Sequence, residues 1–73
     1  MDKKIGMFDS GIGGLTILKE LKKLLPNEDY IYYADSKNNP YGEKSDAELM
    51  KIVTNIVDYL ISRDVKIIVI ACN

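Results

Sequence analysis

The order of apolar and amphipathic segments predicts an open α/β fold with a parallel three-stranded sheet. Three short apolar or β-branched runs alternate with two segments of helical periodicity. Strands that are joined through helices run parallel, with right-handed crossovers. We therefore predict a three-layer β-α-β-α-β unit with the flavodoxin-like strand order 2-1-3.

The first half of the chain predicts a strand, a helix and a second strand. Residues 5–8 are an apolar run, and residues 15–25 carry leucines at every third or fourth position. Pro26 then ends the helix. Aromatic and β-branched residues at 30–34 are typical of a strand, and we expect the tyrosines there to pack in the core or at the sheet edge.

The second half predicts a polar loop, a longer helix and a third strand. The loop covers residues 35–44, and Ser45 with Glu48 fits the capping box that begins a helix. An apolar stripe at helical spacing continues to about Arg63. Residues 65–71 are almost continuously apolar, which is typical of a strand covered on both faces.

Composition argues against several classes of function. The 73 residues suffice for one small domain, and a net charge of −1 without single-sign blocks predicts no nucleic-acid or membrane surface. The longest apolar run is far shorter than the roughly 20 residues that span a bilayer, and no signal-peptide core is present. We therefore expect a cytoplasmic protein. One cysteine and no histidine predict neither an internal disulfide nor a metal site.

A glycine-rich turn after the first strand is the first candidate site. Its sequence is Asp9-Ser10-Gly11-Ile12-Gly13-Gly14. Glycine allows close approach of the backbone to a ligand, and we expect the amides of residues 11–15 to point outward and attract an anion. The turn matches neither the dinucleotide fingerprint nor the P-loop. The alternative is a tight turn in which Asp9 and Ser10 cap the helix.

Further polar groups are predicted at the same edge of the sheet. In open α/β sheets, ligands bind beyond the carboxyl ends of the strands. That edge carries three pairs of residues and one loop, namely Asp9-Ser10, Asp35-Ser36, Cys72-Asn73 and Pro40-Tyr41-Gly42. The loop either grips a small polar ligand or is a plain turn. Strand order 2-1-3 places Asp9 and Cys72 in one crevice.

Two interpretations of Cys72 remain open from the residues alone. It is either a small buried side chain or a thiol that a nearby positive group activates as a base or nucleophile. The Asp9 carboxylate would oppose formation of the thiolate. Asp9 is therefore better suited to bind a substrate ammonium or to relay a proton.

Three motifs together closely resemble the amino-terminal part of the glutamate racemase family. They are Phe8-Asp9-Ser10-Gly11-Ile12-Gly13-Gly14-Leu15, Pro40-Tyr41-Gly42 and Ile70-Ala71-Cys72-Asn73, in the family's order and spacing. The resemblance implies a cofactor-independent enzyme of two similar α/β lobes, each giving one cysteine to a cleft between them. It implies that residues 1–73 are the amino-terminal portion of the first lobe, without the rest of that lobe or the second.

The resemblance also implies roles for individual residues. Cys72 would be one of two acid/base thiols, assisted by Asp9. The substrate-binding positions would be Asp9, Ser10, Tyr41, Gly42 and Asn73, which would hold the carboxylates and ammonium of glutamate. The whole enzyme would be a homodimer that supplies D-glutamate for peptidoglycan synthesis, and thus for cell-wall biogenesis and cell shape. Because the second lobe's Cys-Thr-His motif is missing, we expect the 73 residues alone to be inactive.

Two other functions compete with this one. The first is a racemase of the same superfamily that acts on aspartate or another amino acid. The second is a non-catalytic anion-binding or partner-binding α/β module in which Cys72 only packs.

Overall fold

The predicted order of elements is confirmed in a computed structural model, which describes residues 3–11 and 13–71. The elements are β1 (Lys4–Asp9), α1 (Gly14–Leu24), β2 (Tyr30–Ala34), α2 (Asp46–Ser62) and β3 (Val65–Ile70). The predicted polar loop between β2 and α2 contains two short 3-10 turns, Ser36–Asn38 and Tyr41–Glu43. Cys72 and Asn73 lie outside the described residues.

The three strands form one parallel sheet in the predicted order β2-β1-β3. The central strand is β1, and its residues 5–9 are all buried. Asp9 is the last residue of this strand, opposite Ala34, whereas the sequence placed it just beyond the strand. The pairing extends this far because the backbone N–H of Asp35 donates to the carbonyl of Asp9 over 3.0 Å.

The two helices cover opposite faces of the sheet. Phe8 packs with Ile56 and Leu60 of α2, whereas the side chain of the next residue, Asp9, contacts Gly14 at the start of α1. Successive strand residues point to opposite faces, so these contacts place one helix on each side. Partly buried side chains complete the core beneath α2, namely Ile31, Tyr33, Ile52, Val53, Val57, Val65 and Ile68.

The third strand is less covered than the sequence predicts. Ile67 and Ile70 are 54% and 56% exposed, so the expectation of a strand covered on both faces is wrong for the described chain. The physical reason is the position of β3 at the edge of the sheet, with only β1 beside it. Its continuous apolar sequence therefore leaves apolar surface in contact with solvent.

Candidate functional site

The candidate site is built around Asp9 at the carboxyl end of the central strand. Its side chain is fully buried, at 0% exposure. Oδ1 accepts a hydrogen bond from the Gly11 amide at 2.8 Å, and Oδ2 accepts from the Gly14 amide at 2.7 Å. The hydroxyl of Tyr32, on the neighbouring strand, also donates to Oδ2 at 2.7 Å. Three donors from three parts of the fold thus hold one carboxylate.

These bonds correct the prediction for the glycine-rich turn. The amides of Gly11 and Gly14 do not point outward to an external anion, because both donate to Asp9. The chain's own carboxylate takes the place at the start of α1 where an anion was expected. The capping alternative is confirmed for Asp9, since its carboxylate accepts from the first residue of the helix. The residue directly before α1 is Gly13, which has no side chain that could cap the helix.

Two glycines make this close packing possible. A Cβ atom on Gly14 would lie 2.8 Å from Cγ of Asp9, which is nearer than real Cβ atoms come to other heavy atoms. Gly11 has a φ of 99° and lies against the second loop, where an added Cβ would be 2.9 Å from Cα of Ser36. Glycine is therefore required at both positions, for space at Gly14 and for both space and backbone conformation at Gly11.

Tyr32 stays protonated, and hence a donor, far into the alkaline range. Burial of its phenol is the largest cause, and the hydrogen bond to Asp9 and the negative charge of Asp9 add to it. Together they raise the pKa of Tyr32 from 10.0 to about 12. Of the strand tyrosines, Tyr33 packs against the core as expected, whereas Tyr32 has a polar function at the Asp9 carboxylate.

A second buried carboxylate, Asp35, directly follows the neighbouring strand β2. It is 4% exposed and accepts from Asn38 Nδ2 at 3.0 Å and 3.1 Å, one bond to each oxygen. The hydroxyl of Tyr41 donates to Asp35 Oδ2 at 2.6 Å. Sequence reasoning placed Asp35 at this edge and gave it no role. The available signal was an aspartate directly after each of the first two strands.

Three further predicted site residues, Ser10, Tyr41 and Gly42, lie at the same edge and differ in exposure. Ser10 and Tyr41 are partly buried, and Gly42 is exposed with open space where a Cβ would be. Cys72 and Asn73 fall outside the described residues. The residue before them, Ala71, donates its amide to the carbonyl of Phe8 over 2.9 Å. The chain thus runs beside the end of β1 as far as Ala71.

A cleft of about 660 Å³ lies next to this edge, between the end of β2 and helix α2. Asp35 and Asn38 are among its lining residues, whereas Asp9 is not. The lining is completed by Tyr33, Ala34, Ser36, Lys37, Lys51, Ile52, Asn55, Ile56 and Tyr59. Asp35 and its hydrogen-bond partners Asn38 and Tyr41, which we call the Asp35 network, therefore lie between this cleft and the turn that holds Asp9.

Residues 3–11 and 13–71 contain neither a cluster of metal ligands nor a membrane-spanning helix. No group of three or more side chains suited to binding a metal ion occurs there. Neither helix in this part of the chain combines the length and apolar character needed to cross a bilayer.

Curated proteins match the chain over almost its entire length. A glutamate racemase from Clostridium botulinum strain 657 is 54% identical over 72 residues, which is 99% of this chain. One from Clostridium novyi strain NT is 56% identical over 69 residues, or 94% of this chain. The similarity to glutamate racemase is thereby confirmed. The chain spans only 28% and 27% of the length of these two racemases.

A solved glutamate racemase shows that the similarity extends to three dimensions. The enzyme from Francisella tularensis, determined in complex with D-glutamate, is 52% identical and superposes with a TM-score of 0.89. The match covers 97% of this chain and 27% of that racemase. The open parallel sheet is thus a piece of the glutamate racemase fold. No family model matches the chain.

Proposed function

We propose that this chain supplies one part of a cofactor-independent glutamate racemase that interconverts L-glutamate and D-glutamate. The observation that carries the proposal is the 54% identity to a glutamate racemase across 99% of the chain, a stretch that includes Asp9 and Cys72. The chain would form the amino-terminal portion of the first of two lobes. Since the remaining lobe would bring the second acid/base group, the 73 residues alone would not racemise.

The proposed chemistry needs one proton acceptor and one proton donor on opposite faces of the α-carbon. Cys72, as thiolate, would remove the α-proton from one face, and a thiol of the second lobe would deliver a proton to the other. The carbon would be inverted, Cys72 would end as a thiol and its partner as a thiolate. The reverse reaction exchanges the two roles, so the same pair serves both enantiomers.

The geometry of Asp9 bears on how it would assist. A carboxylate offers about four acceptor positions, and three are used by Gly11, Gly14 and Tyr32. One position therefore remains for a group at the site. Because Asp9 is fully buried, we propose that it relays a proton to Cys72 and does not bind the substrate ammonium directly. Donors near the site would stabilise the carbanion-like state of glutamate.

Glutamate itself would be held by the other residues at the strand ends. Ser10, Tyr41, Gly42 and Asn73 would contact its two carboxylates and its ammonium. The complete enzyme would act as a homodimer in the cytoplasm and supply D-glutamate for peptidoglycan synthesis, and so for cell-wall biogenesis and cell shape. The similarity to glutamate racemases supports the proposal of these roles.

Protection of Cys72 from alkylation by glutamate tests the proposal. The protein to use is a hybrid racemase, in which this chain replaces the matched segment of the Clostridium botulinum enzyme. At a glutamate concentration about ten times Kd, labelling of Cys72 by iodoacetamide should slow roughly tenfold, because about one site in ten is free. Mass spectrometry of the peptide that contains Cys72 measures the rate.

A matched control is the variant Ser62→Cys, which adds a thiol at the exposed end of α2. Its labelling rate should not change with glutamate. Aspartate in place of glutamate tests the related racemase activity, which predicts protection by aspartate instead. Equal labelling of Cys72 with and without either amino acid, in a folded hybrid, would favour the non-catalytic module.

A further inference from the structure

The buried carboxylate of Asp35 has no part in the proposed proton transfer. All three of its side-chain hydrogen bonds come from the loop that follows β2, two from the Asn38 amide and one from the Tyr41 hydroxyl. Neither Lys nor Arg forms a salt bridge with it among the described residues. Burying an acid in this way is costly unless its partners are fixed, so the loop and the carboxylate stabilise one another.

Asp35 also joins this loop to the turn that holds Asp9. Its backbone N–H donates to the Asp9 carbonyl at 3.0 Å, and the next residue, Ser36, packs directly against Gly11. The side chain of Asp35 therefore connects Tyr41 to the end of the central strand through one residue. A displacement of Asp35 would move the loop relative to the Asp9 turn.

The direction of the hydrogen bond restricts what Tyr41 can do. An ionised carboxylate only accepts hydrogen bonds, so the single O–H of Tyr41 is committed to Asp35 at 2.6 Å. The carboxylates of glutamate also only accept, and thus cannot receive that proton at the same time. The side chain of Tyr41 therefore serves first to fix the loop that carries Tyr41 and Gly42.

We propose that Asp35 is a positioning residue for substrate binding, which acts through Tyr41 and Asn38 and not through contact with the reacting atoms. This inference rests on the proposed racemase function. It predicts that loss of the Asp35 network weakens glutamate binding and leaves proton transfer nearly intact. Asp9, at the end of β1, then assists the proton transfer. Asp35, directly after β2, fixes the geometry of the binding loop.

A double-mutant cycle in the hybrid racemase tests the inference. Asp35→Asn keeps the size of the side chain but leaves one acceptor oxygen where Asn38 and Tyr41 now use two. We expect it to raise KM for glutamate about tenfold (~1.4 kcal/mol) while kcat changes by less than about threefold. Tyr41→Phe removes only the hydroxyl and should raise KM by a smaller factor.

The double variant decides whether Asp35 acts through Tyr41. If it does, Tyr41→Phe raises KM by a smaller factor in the Asp35→Asn variant than in the unsubstituted hybrid, because the neutral amide oxygen holds the hydroxyl more weakly than the carboxylate does. Multiplication of the two single effects would overturn the coupling. The pH profile of kcat should keep its position in every variant, whereas a shifted profile or a loss of kcat of about a hundredfold would show that Asp35 transfers protons.

A control variant and a folding check distinguish a loss of substrate binding from a loss of folding. Asp58→Asn makes the same chemical change on the exposed face of α2 and should leave KM and kcat unchanged. Circular dichroism shows whether each variant folds, and Tyr41→Phe alone tests the inference should Asp35→Asn unfold. A folded hybrid without racemisation contradicts the proposed function. A hybrid that racemises with KM unaffected by Asp35→Asn and Tyr41→Phe contradicts only the role of Asp35.

Discussion

At the residue scale, the Asp9 carboxylate is stabilised by hydrogen-bond donors and not by a cation. It is fully buried, and neither salt bridge found in the described residues includes it. Its donors are the amides of Gly11 and Gly14 and the phenol of Tyr32. Because bonds to a charged group are stronger than neutral ones, each donor should matter measurably for stability.

Removing the phenol hydroxyl tests this account of Asp9. Tyr32→Phe takes away one of three donors and leaves the carboxylate buried, so we expect a loss of about 1.5–3 kcal/mol in the free energy of unfolding at neutral pH. Urea unfolding measures it. Tyr59→Phe is the matched control, because Tyr59 is 42% exposed and its hydroxyl accepts a hydrogen bond from the exposed Arg63. That variant should change stability by less than about 0.5 kcal/mol.

The raised pKa of Tyr32 predicts the shape of alkaline unfolding. The unfolded phenol loses its proton near 10.0 and the folded one near about 12, so the folded state binds more protons in this interval. The contribution of Tyr32 to the free energy of unfolding is thus fully present below the pKa of the unfolded phenol. It is lost as pH rises from about 10 to about 12. The Tyr32→Phe variant should lose less stability over this interval than the unsubstituted chain, and parallel pH curves would contradict the assignment.

Space at the start of α1 gives a second prediction at this scale. Gly14→Ala would push a Cβ into Asp9 and Tyr32, and we expect it to cost about 1–3 kcal/mol of unfolding free energy. Gly42→Ala is the matched control, since no atom lies within 4 Å of its Cβ position. Its effect should stay within about 0.5 kcal/mol. Equal costs for the two alanines would show that Asp9 is not packed as described.

At the element scale, α2 is held at its first turn by a capping box. The hydroxyl of Ser45 accepts from the Glu48 amide at 3.2 Å, and the Glu48 carboxylate accepts from the Ser45 amide at 3.2 Å. Two hydrogen bonds lower the pKa of Glu48. The larger effect comes from the Ser45 amide and the smaller one from the Ser45 hydroxyl. This part of the cap is therefore present above the ordinary carboxyl pKa and is lost as pH falls through the lowered one.

Removing the N-cap side chain tests this description of α2. We expect Ser45→Ala to reduce the free energy of unfolding by about 1 kcal/mol. Thr54→Ala, on the exposed face of the same helix, should cause no loss, because alanine is the better helix former. The Glu48→Gln variant can keep the bond from the Ser45 amide, and glutamine does not titrate. As the solution is acidified, its free energy of unfolding should therefore rise relative to that of the unsubstituted chain. A pH-independent difference would contradict the role of the carboxylate.

The helices and strands could be predicted from the sequence because each is specified by local patterns. The capping box and apolar stripe placed α2, and alternating segments placed the parallel sheet. The two 3-10 turns and the network of Asp35 could not be placed in this way. They depend on contacts between Asp35, Asn38 and Tyr41 that form only when the loop folds back on the strand end.

Parts of the site were less predictable for the same reason. The sequence pointed to Asp9 and its turn as a candidate site, and it allowed the capping alternative that the bond from Gly14 bears out. It did not indicate that the Gly11 and Gly14 amides would be used by Asp9 itself, because that depends on how closely α1 approaches β1. The degree of cover on β3 was overestimated, since an apolar pattern does not reveal whether a neighbouring strand lies alongside.

At the scale of the whole molecule, the described chain has a network of hydrogen bonds at the carboxyl ends of β1 and β2. Its third strand, in contrast, has apolar side chains exposed to solvent. Asp9 and Asp35 are buried and each accepts three hydrogen bonds, whereas Ile67 and Ile70 of β3 are largely exposed. Buried side-chain nitrogen and oxygen atoms in the described residues all have hydrogen-bond partners. The described residues therefore supply the donors that hold Asp9 and Asp35, while the second acid/base group of the proposed racemase would come from outside this chain.

Exchange of the α-proton of glutamate in deuterated water tests whether Cys72 transfers protons in a glutamate racemase. The hybrid racemase should exchange this proton in both enantiomers, and Cys72→Ala should reduce the rate by about 10²–10⁴-fold. Ser62→Ala, at the exposed end of α2, should not. The 73-residue chain alone should show no exchange. A folded hybrid without exchange, a Cys72→Ala variant with unchanged rate, or turnover by the chain alone would each contradict the account.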